Sequence, residues 1–485
     1  MKLLTKIEKT KDCWFLIGVT VVFFLLRLPS FIEPYWYGDE GIYQVIGIAL
    51  NENRLLYKDI WDNKPPLLYI IYALFSSDQF SLRVLSFVFG ILAVFTFYLI
   101  SKKLLKAEKA VFLSVGFFAL LFGLPLLEGN IANAENFMLL PIILAGFLIY
   151  NYTLNAKPYT LIIAGFFLSL AFLFKIVAIF DFAAFTLFLI YIEKNSSKSI
   201  NQIIKHLMLF FAAFAVPLFL TAAFFFFKGA FTPFLEATLR QNIGYVSYGN
   251  RLLIPQGLLL LKLFFLFSGS IFLFKKRNLF SSSELFIFIW FIFSLFNTFF
   301  SQRPYTHYLL ILLPSFSLML GLFLTENKTK AYKKIVGLML FFTIIIVGLN
   351  FTFYTKIFSY YENYLSFVAN KKSVAAYQSF FDKHTPADYA IASYLKTHME
   401  KNDTVFIWGN NGQVYALLNE LPPGRFIVAY HITSSPQTLA ETQIAINKIK
   451  PTFIVSSHNQ SIPFSIKDYQ EQIMIYDAQV YEKKF

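Results

Sequence analysis

YGDEGIYQVIGIALNENRLLYKDIWDNKPP, residues 37–66, is a polar island between long apolar runs. It carries the adjacent acids Asp39 and Glu40, two further acids at Asp59 and Asp62, and Lys64 directly before two prolines. Elsewhere the chain is poor in charge. Of its 485 residues 14% are charged and 57% hydrophobic, whereas soluble domains carry about 25% charged residues. A soluble chain this apolar would need more core than its surface allows. Charge gathered on one loop of such a chain points to a membrane protein with its chemistry on that loop.

Working outward from the island, apolar runs close to the span length of about 20 residues recur along the chain. They fall at 13–31, 81–101, 110–127, 137–153, 158–174, 176–192, 207–227, 254–274, 285–300, 307–325 and 335–354. The sequence therefore predicts a polytopic α-helical membrane protein with about 11 transmembrane helices. The segment 67–75 is too short to span and is expected at the interface or re-entering. The 62 Phe and 28 Tyr suit lipid-facing and interfacial positions.

The net charge of +14 would suggest nucleic acid in a soluble protein. Here the lysines lie between spans and report orientation instead, and no nucleic-acid partner is expected. Alternation puts inside Lys2, Lys6, Lys9 and Lys11; Lys102, Lys103, Lys106 and Lys109; Lys157; Lys194, Lys198 and Lys205; Lys275, Lys276 and Arg277; and Lys328, Lys330, Lys333 and Lys334. The N-terminus is then cytoplasmic, and residues 1–30 read as an uncleaved signal-anchor. The island and the C-terminus face outward. The outer loops also collect acids, among them Glu33, Asp78, Glu128, Glu135 and Glu236. Cys13 is the single cysteine, which excludes an intramolecular disulfide and a cysteine-based metal site.

From about residue 361 the composition changes, and residues 386–485 read as a small soluble α/β domain. Helices are expected at 386–400, 413–420 and 437–450, and strands at 404–408, 425–430 and 452–455, with a turn at Gly409-Asn410-Asn411-Gly412. This alternation predicts a partly parallel sheet. The expected division is a transmembrane domain over 1–360, with a catalytic first outer loop at 32–80, and an extracytoplasmic α/β domain over 361–485.

Chemistry has several candidate carriers. An acidic pair beside a bilayer is costly unless solvated, bound to a metal or set against a cation. Asp39 can take a proton from an acceptor hydroxyl or bind a divalent metal ion, with Glu40 orienting it. Asp62 and Lys64 precede Pro65 and Pro66, which fix the backbone and hold the ammonium in one place for a phosphate. The bland alternatives are a solvated loop pair and a snorkelling lysine. Glu135 is either a site residue or a helix N-terminal charge. Arg303 and His307 can bind phosphate or shuttle a proton, or belong to an aromatic belt. Arg240 and Arg251 are further phosphate candidates. Lys175 near Asp181 is either in a buried ion pair or a ligand contact.

Together these features resemble the GT-C membrane glycosyltransferases: protein O-mannosyltransferases that use dolichyl-phosphate-mannose, lipid A aminoarabinose transferases and rhizobial galacturonosyltransferases. The pattern consists of Arg27; Asp39, Glu40, Gly41 and Tyr43; Leu56-Tyr57 with Asp59; Lys64-Pro65-Pro66-Leu67 with Tyr69; Ala134-Glu135-Asn136; and His307-Tyr308-Leu309 with Pro314. In the outer domain it continues at Val405-Phe406-Ile407-Trp408-Gly409, Tyr415, Pro422-Pro423, Arg425 and Phe426. The resemblance implies a polyprenyl-phosphate-linked sugar donor and inverting transfer on the outer face to a lipid, glycan or protein. It also implies Asp39 as acid/base, Lys64 on the donor phosphate, Tyr43 in substrate binding and Glu135 as second site acid. The aminoarabinose transferases have an acid where this chain has Asn63, which puts a metal site at that position in doubt. The alternative from another class is a transporter or flippase of lipid-linked sugars. It would need ionisable groups near the bilayer midplane and matched halves, and the sequence displays few of the former and none of the latter.

Overall fold

The computed structural model describes residues 2–195, 198–252, 256–325, 329–457 and 460–484. Lys328, the side chains of Lys2, Lys6 and Lys9, and the expected start of a span at 254 lie outside what is described.

Among the described residues, each of the eleven expected spans is mainly helical. Among the described residues nine helices are long and apolar enough to cross a membrane: Thr10–Ile32, Gln79–Leu104, Ala134–Asn155, Ile176–Lys194, Ile200–Phe227, Gly257–Lys275, Ser282–Phe299, Thr306–Phe323 and Lys330–Asn350. Closure of every backbone hydrogen bond within the segment is what makes a helix the stable form of such runs in lipid. The two that fall short are Glu108–Gly123 and Tyr159–Phe174, of 16 residues each. At 1.5 Å per residue they reach about 24 Å, against about 30 Å of hydrocarbon. The short segment after Lys64 is an eight-residue helix, Leu67–Leu74.

The chain divides into two compact units. The first comprises Met1–Leu28, Leu85–Phe224 and Arg240–Ile357. In it the Ser282–Phe299 helix packs against both Ile179–Lys194 and Leu309–Phe323, burying Trp290, Phe286 and Phe185. Arg27 is fully buried there and donates to Ser86. The Ile200–Phe227 and Gly257–Lys275 helices leave most of their apolar surface uncovered, as lipid-facing helices do.

The second unit comprises Pro29–Val84, Phe225–Leu239 and Phe358–Phe485. Its sheet contains β1 (Val405–Trp408), β2 (Phe453–Ser456), β3 (Tyr469–Ile475) and β4 (Ala478–Lys483) in the order β1-β2-β4-β3. β1 and β2 are parallel, and β4 is antiparallel to both β2 and β3. The expected helices form at Thr385–His398, Gly412–Leu418 and Pro436–Ile449. The strand expected at 425–430 does not form. There the Arg425 carbonyl accepts from the Trp61 N–H, Phe426 is buried against Trp61, and a helical turn follows at Ala429–Ile432. The β3–β4 hairpin escaped the sequence reading because Tyr469–Ile475 is almost wholly solvent-facing and lacks the apolar alternation that marks a strand.

The first-loop helix Gly38–Asn51 packs on the Gly412–Leu418 helix. Their meeting point is glycine on glycine. A β-carbon on Gly41 would lie 2.7 Å from the Gln413 nitrogen, and one on Gly412 would lie 3.0 Å from the Gly41 carbonyl carbon. Only glycine permits this backbone approach.

Candidate active site

The candidate residues fall into two clusters, one in each unit.

In the second unit, Asp39 occupies the first turn of the Gly38–Asn51 helix, where the helix dipole favours an anion. Tyr43, one turn on, donates to Asp39 Oδ2 at 2.8 Å. Lys64 Nζ lies 3.3 Å from the same oxygen and 3.8 Å from Asp62 Oδ2, and 4.7 Å from the centre of the Tyr43 ring. Asp62 is buried and accepts from Tyr69 at 2.7 Å. Tyr57 donates to the Lys64 carbonyl at 2.7 Å. Burial pushes the phenols of Tyr57 and Tyr69 well above their ordinary range, so both remain protonated donors. Asp59 closes the loop by accepting from the Leu55 N–H at 2.9 Å. Of the two acids beside Lys64, Asp39 has a side chain 36% exposed and Asp62 one 3% exposed. Asp39 is thus the member open to an incoming molecule.

Glu40 does not join Lys64. Consecutive helical residues point about 100° apart, and Glu40 turns inward to Arg83 at 2.5 Å. Arg83 also holds Glu33 at 3.2 Å, and Glu33 accepts from Tyr360 and Trp36. Arg83, Glu33 and Glu40 are all buried.

His431 approaches Asp62 from the C-terminal part of this unit, with Nε2 3.7 Å from Oδ1. It is packed edge-on against Trp61. Burial pushes its pKa down to about 4, against the pull of Asp62, so the ring is neutral near pH 7. Its position in sequence, far from the island, hid it from the sequence reading.

In the first unit, Glu135 begins the Ala134–Asn155 helix and is buried with Lys175 paired to it. The alternative partner of Lys175, Asp181, instead accepts from Trp290 at 2.9 Å. His307 Nδ1 lies 2.9 Å from Glu128, and its Nε2 lies 3.8 Å from Glu135. Lys175 Nζ sits 4.3 Å from the centre of the Tyr308 ring. The Tyr308 hydroxyl is 3.2 Å from that of Tyr245, and Arg303 stacks over Tyr245 and Tyr248 at 4.5 and 5.0 Å. Glu135, Lys175, His307 and Arg303 therefore form one continuous network through Tyr308 and Tyr245. Arg251 and Arg240 are exposed and stand outside it, with no ion pair among the described residues. Glu128 and Tyr245 are the members the sequence did not single out.

No group of three or more His, Cys, Asp or Glu placed to hold a metal ion occurs among the described residues. The Lys64 ammonium lies where an ion bridging Asp39 and Asp62 would bind. The donor set as built fits a lysine rather than a divalent metal.

A family model described as dolichyl-phosphate-mannose-protein mannosyltransferase matches residues 64–220. Among solved structures the chain is similar to ArnT from Cupriavidus metallidurans bound to undecaprenyl phosphate, at 12% identity and a TM-score of 0.55, covering 97% of this chain and 98% of that one. It is also similar to the archaeal oligosaccharyltransferase AglB from Archaeoglobus fulgidus, in complex with an inhibitory peptide and a dolichol-phosphate. There the identity is 11% and the TM-score 0.50, covering 92% of this chain and 69% of that one. No curated protein matches the chain.

Proposed function

We propose that the chain is a membrane glycosyltransferase of GT-C type that moves a sugar from a polyprenyl-phosphate-linked donor to a lipid, glycan or protein acceptor on the outer face of the membrane, a reading supported by the family model over residues 64–220 and by the shared fold of the two similar structures. The polyprenyl phosphates named with the two similar structures support the donor class. In this reading the N-terminus is cytoplasmic and residues 361–485 are extracytoplasmic, beyond a transmembrane domain over 1–360.

The observation that carries the reading is Lys64, whose ammonium lies 3.3 Å from Asp39 beside a half-open approach. A phosphate is already a good leaving group and needs its charge balanced more than it needs a proton. An incoming donor phosphate competes with Asp39 for Lys64 and leaves the carboxylate free as a base. Asp39 then takes the acceptor hydroxyl proton. The acceptor oxygen bonds to the anomeric carbon from the face opposite the phosphate. The carbon–oxygen bond to phosphate breaks, and polyprenyl phosphate departs with the electron pair. Positioning and charge stabilisation supply the acceleration, and the paired carboxylates of a glycosidase are not needed. Tyr43 and Asp62 hold Lys64 and the sugar side. Glu40 supports Asp39 through the helix, and in the first unit, taken by itself, Lys175, Arg303 and His307 with Glu135 as second acid form a further group suited to substrate, with the exposed Arg251 as a separate phosphate candidate.

The test is transfer by purified protein in proteoliposomes supplied with a polyprenyl-phosphate sugar. Asp39→Asn is expected to lower kcat about 10²–10⁴-fold, and the wild-type product to have inverted anomeric configuration by NMR. Full activity of the folded variant would assign the base elsewhere. A retained configuration would remove the single-displacement mechanism.

A further inference from the structure

Glu128 lies within hydrogen-bond distance of His307, and its own backbone is unusually constrained. It ends the Pro125–Leu127 turn in the left-handed region, at φ 57° and ψ 27°. Such strain at a non-glycine residue persists only where the surroundings over-determine it. They do so here. The Asn136 amide donates to the carbonyls of Glu128, Gly129 and Ile131. A β-carbon on Gly129 would drive into the Phe122 carbonyl. The loop therefore has one shape, and that shape aims the Glu128 carboxylate at two side chains of one 3-10 turn. It accepts from Thr306 at 2.7 Å and pairs with His307 Nδ1 at 2.9 Å. The opposite ring nitrogen, Nε2, then faces Glu135, which holds Lys175.

We propose that Glu128 is a positioning residue for His307: it takes the Nδ1–H, fixes the tautomer and the plane of the ring, and presents Nε2 to the Glu135–Lys175 pair. A carboxylate on one imidazole nitrogen is a general device for committing the other to a site. Thr306 makes the device rigid, because the carboxylate cannot swing away without losing both bonds. The consequence for function rests on the glycosyltransferase reading. His307 meets donor or acceptor through Nε2, and Glu128 acts only through it.

A double-mutant cycle tests this in proteoliposomes with a polyprenyl-phosphate sugar. Glu128→Ala is expected to lower kcat about 10–100-fold, with the donor KM changed by less than about threefold and Glu128→Gln recovering part of the loss. In a His307→Ala background, Glu128→Ala is expected to lower kcat no further. Equal losses in both backgrounds would mean that Glu128 supports the fold rather than His307, and would overturn the proposal. A second arm needs no turnover. Nitrogen chemical shifts of isotope-labelled histidines in nanodiscs, with His307 identified by its loss in His307→Ala, are expected to report Nδ1 protonation that Glu128→Ala perturbs. Unaltered His307 shifts in Glu128→Ala would overturn the proposal. If the wild type transfers no sugar from such donors, the proposed function falls while the spectra still judge Glu128.

Discussion

The Asp39–Lys64–Asp62 cluster and the Glu128–His307–Glu135–Lys175 cluster both set carboxylates against cations, but they are built in different ways. The first draws its acids and its lysine from one 30-residue stretch, and the lysine is flanked by two carboxylates, each held by a tyrosine. The second gathers a loop, two helix ends and a 3-10 turn from distant parts of the chain. In it Lys175 and the His307 ring both turn towards the buried Glu135. A cluster that centres on one lysine depends steeply on that lysine. A cluster that shares its charge among several groups spreads the dependence.

Four substitutions break or sharpen this contrast. The largest effect is expected at Arg83, which braces the first cluster from behind by holding Glu33 and Glu40 out of water. Arg83→Leu leaves two buried carboxylates without their partner and should cost about 3–5 kcal/mol, read as a lowered unfolding midpoint in detergent. A change within about 0.5 kcal/mol would mean that the brace is dispensable. Next, Lys64→Met should lower kcat/KM about 10²–10³-fold, the scale of losing one preorganised charge at a reacting centre. Lys175→Met should cost about 10-fold, because His307 and Arg303 remain. Equal losses at the two lysines would erase the distinction between the clusters.

The smallest effect concerns His431. Its folded pKa of about 4 lies below the ordinary 6.5 because of burial. Between those values the unfolded chain binds a proton that the folded chain does not, so stability falls as pH drops through that window. His431→Gln should flatten this part of the dependence by about 1–3 kcal/mol in total, measured as unfolding midpoint against pH. Parallel curves for wild type and variant would show that His431 titrates normally.

The same contrast explains what could be read from the sequence. Asp39, Lys64 and Asp62 lie on one short loop in a charge-poor chain, so composition alone drew attention to them, and the prolines after Lys64 marked the loop as fixed. Glu135, Lys175, Arg303 and His307 each stood as a site candidate beside an equally good structural reading, because the contacts that distinguish the two come from other segments. Glu128 was legible only as one of several outer-loop acids, and His431 not at all, since its partner Asp62 is brought to it only by tertiary packing. The helices were legible because apolar length is a local property. The missing strand at 425–430 and the unforeseen β3–β4 hairpin reflect the opposite case. Phe426 is packed against Trp61, and β3 pairs through its backbone while leaving both of its faces largely open to solvent.

The glycine seat between Gly41 and Gly412 also sets an order of events during synthesis. Arg54 and Pro422, hydrogen-bonded to each other in the same unit, are 368 residues apart in the chain. The helix that carries Asp39 is made early and must wait through the synthesis of most of the membrane segments for the surface it packs on. Pairings of such separation form late and leave their partners open to misassembly in the meantime. Asp39 and Lys64 therefore come under the restraint of the C-terminal segment only once the intervening spans have been made.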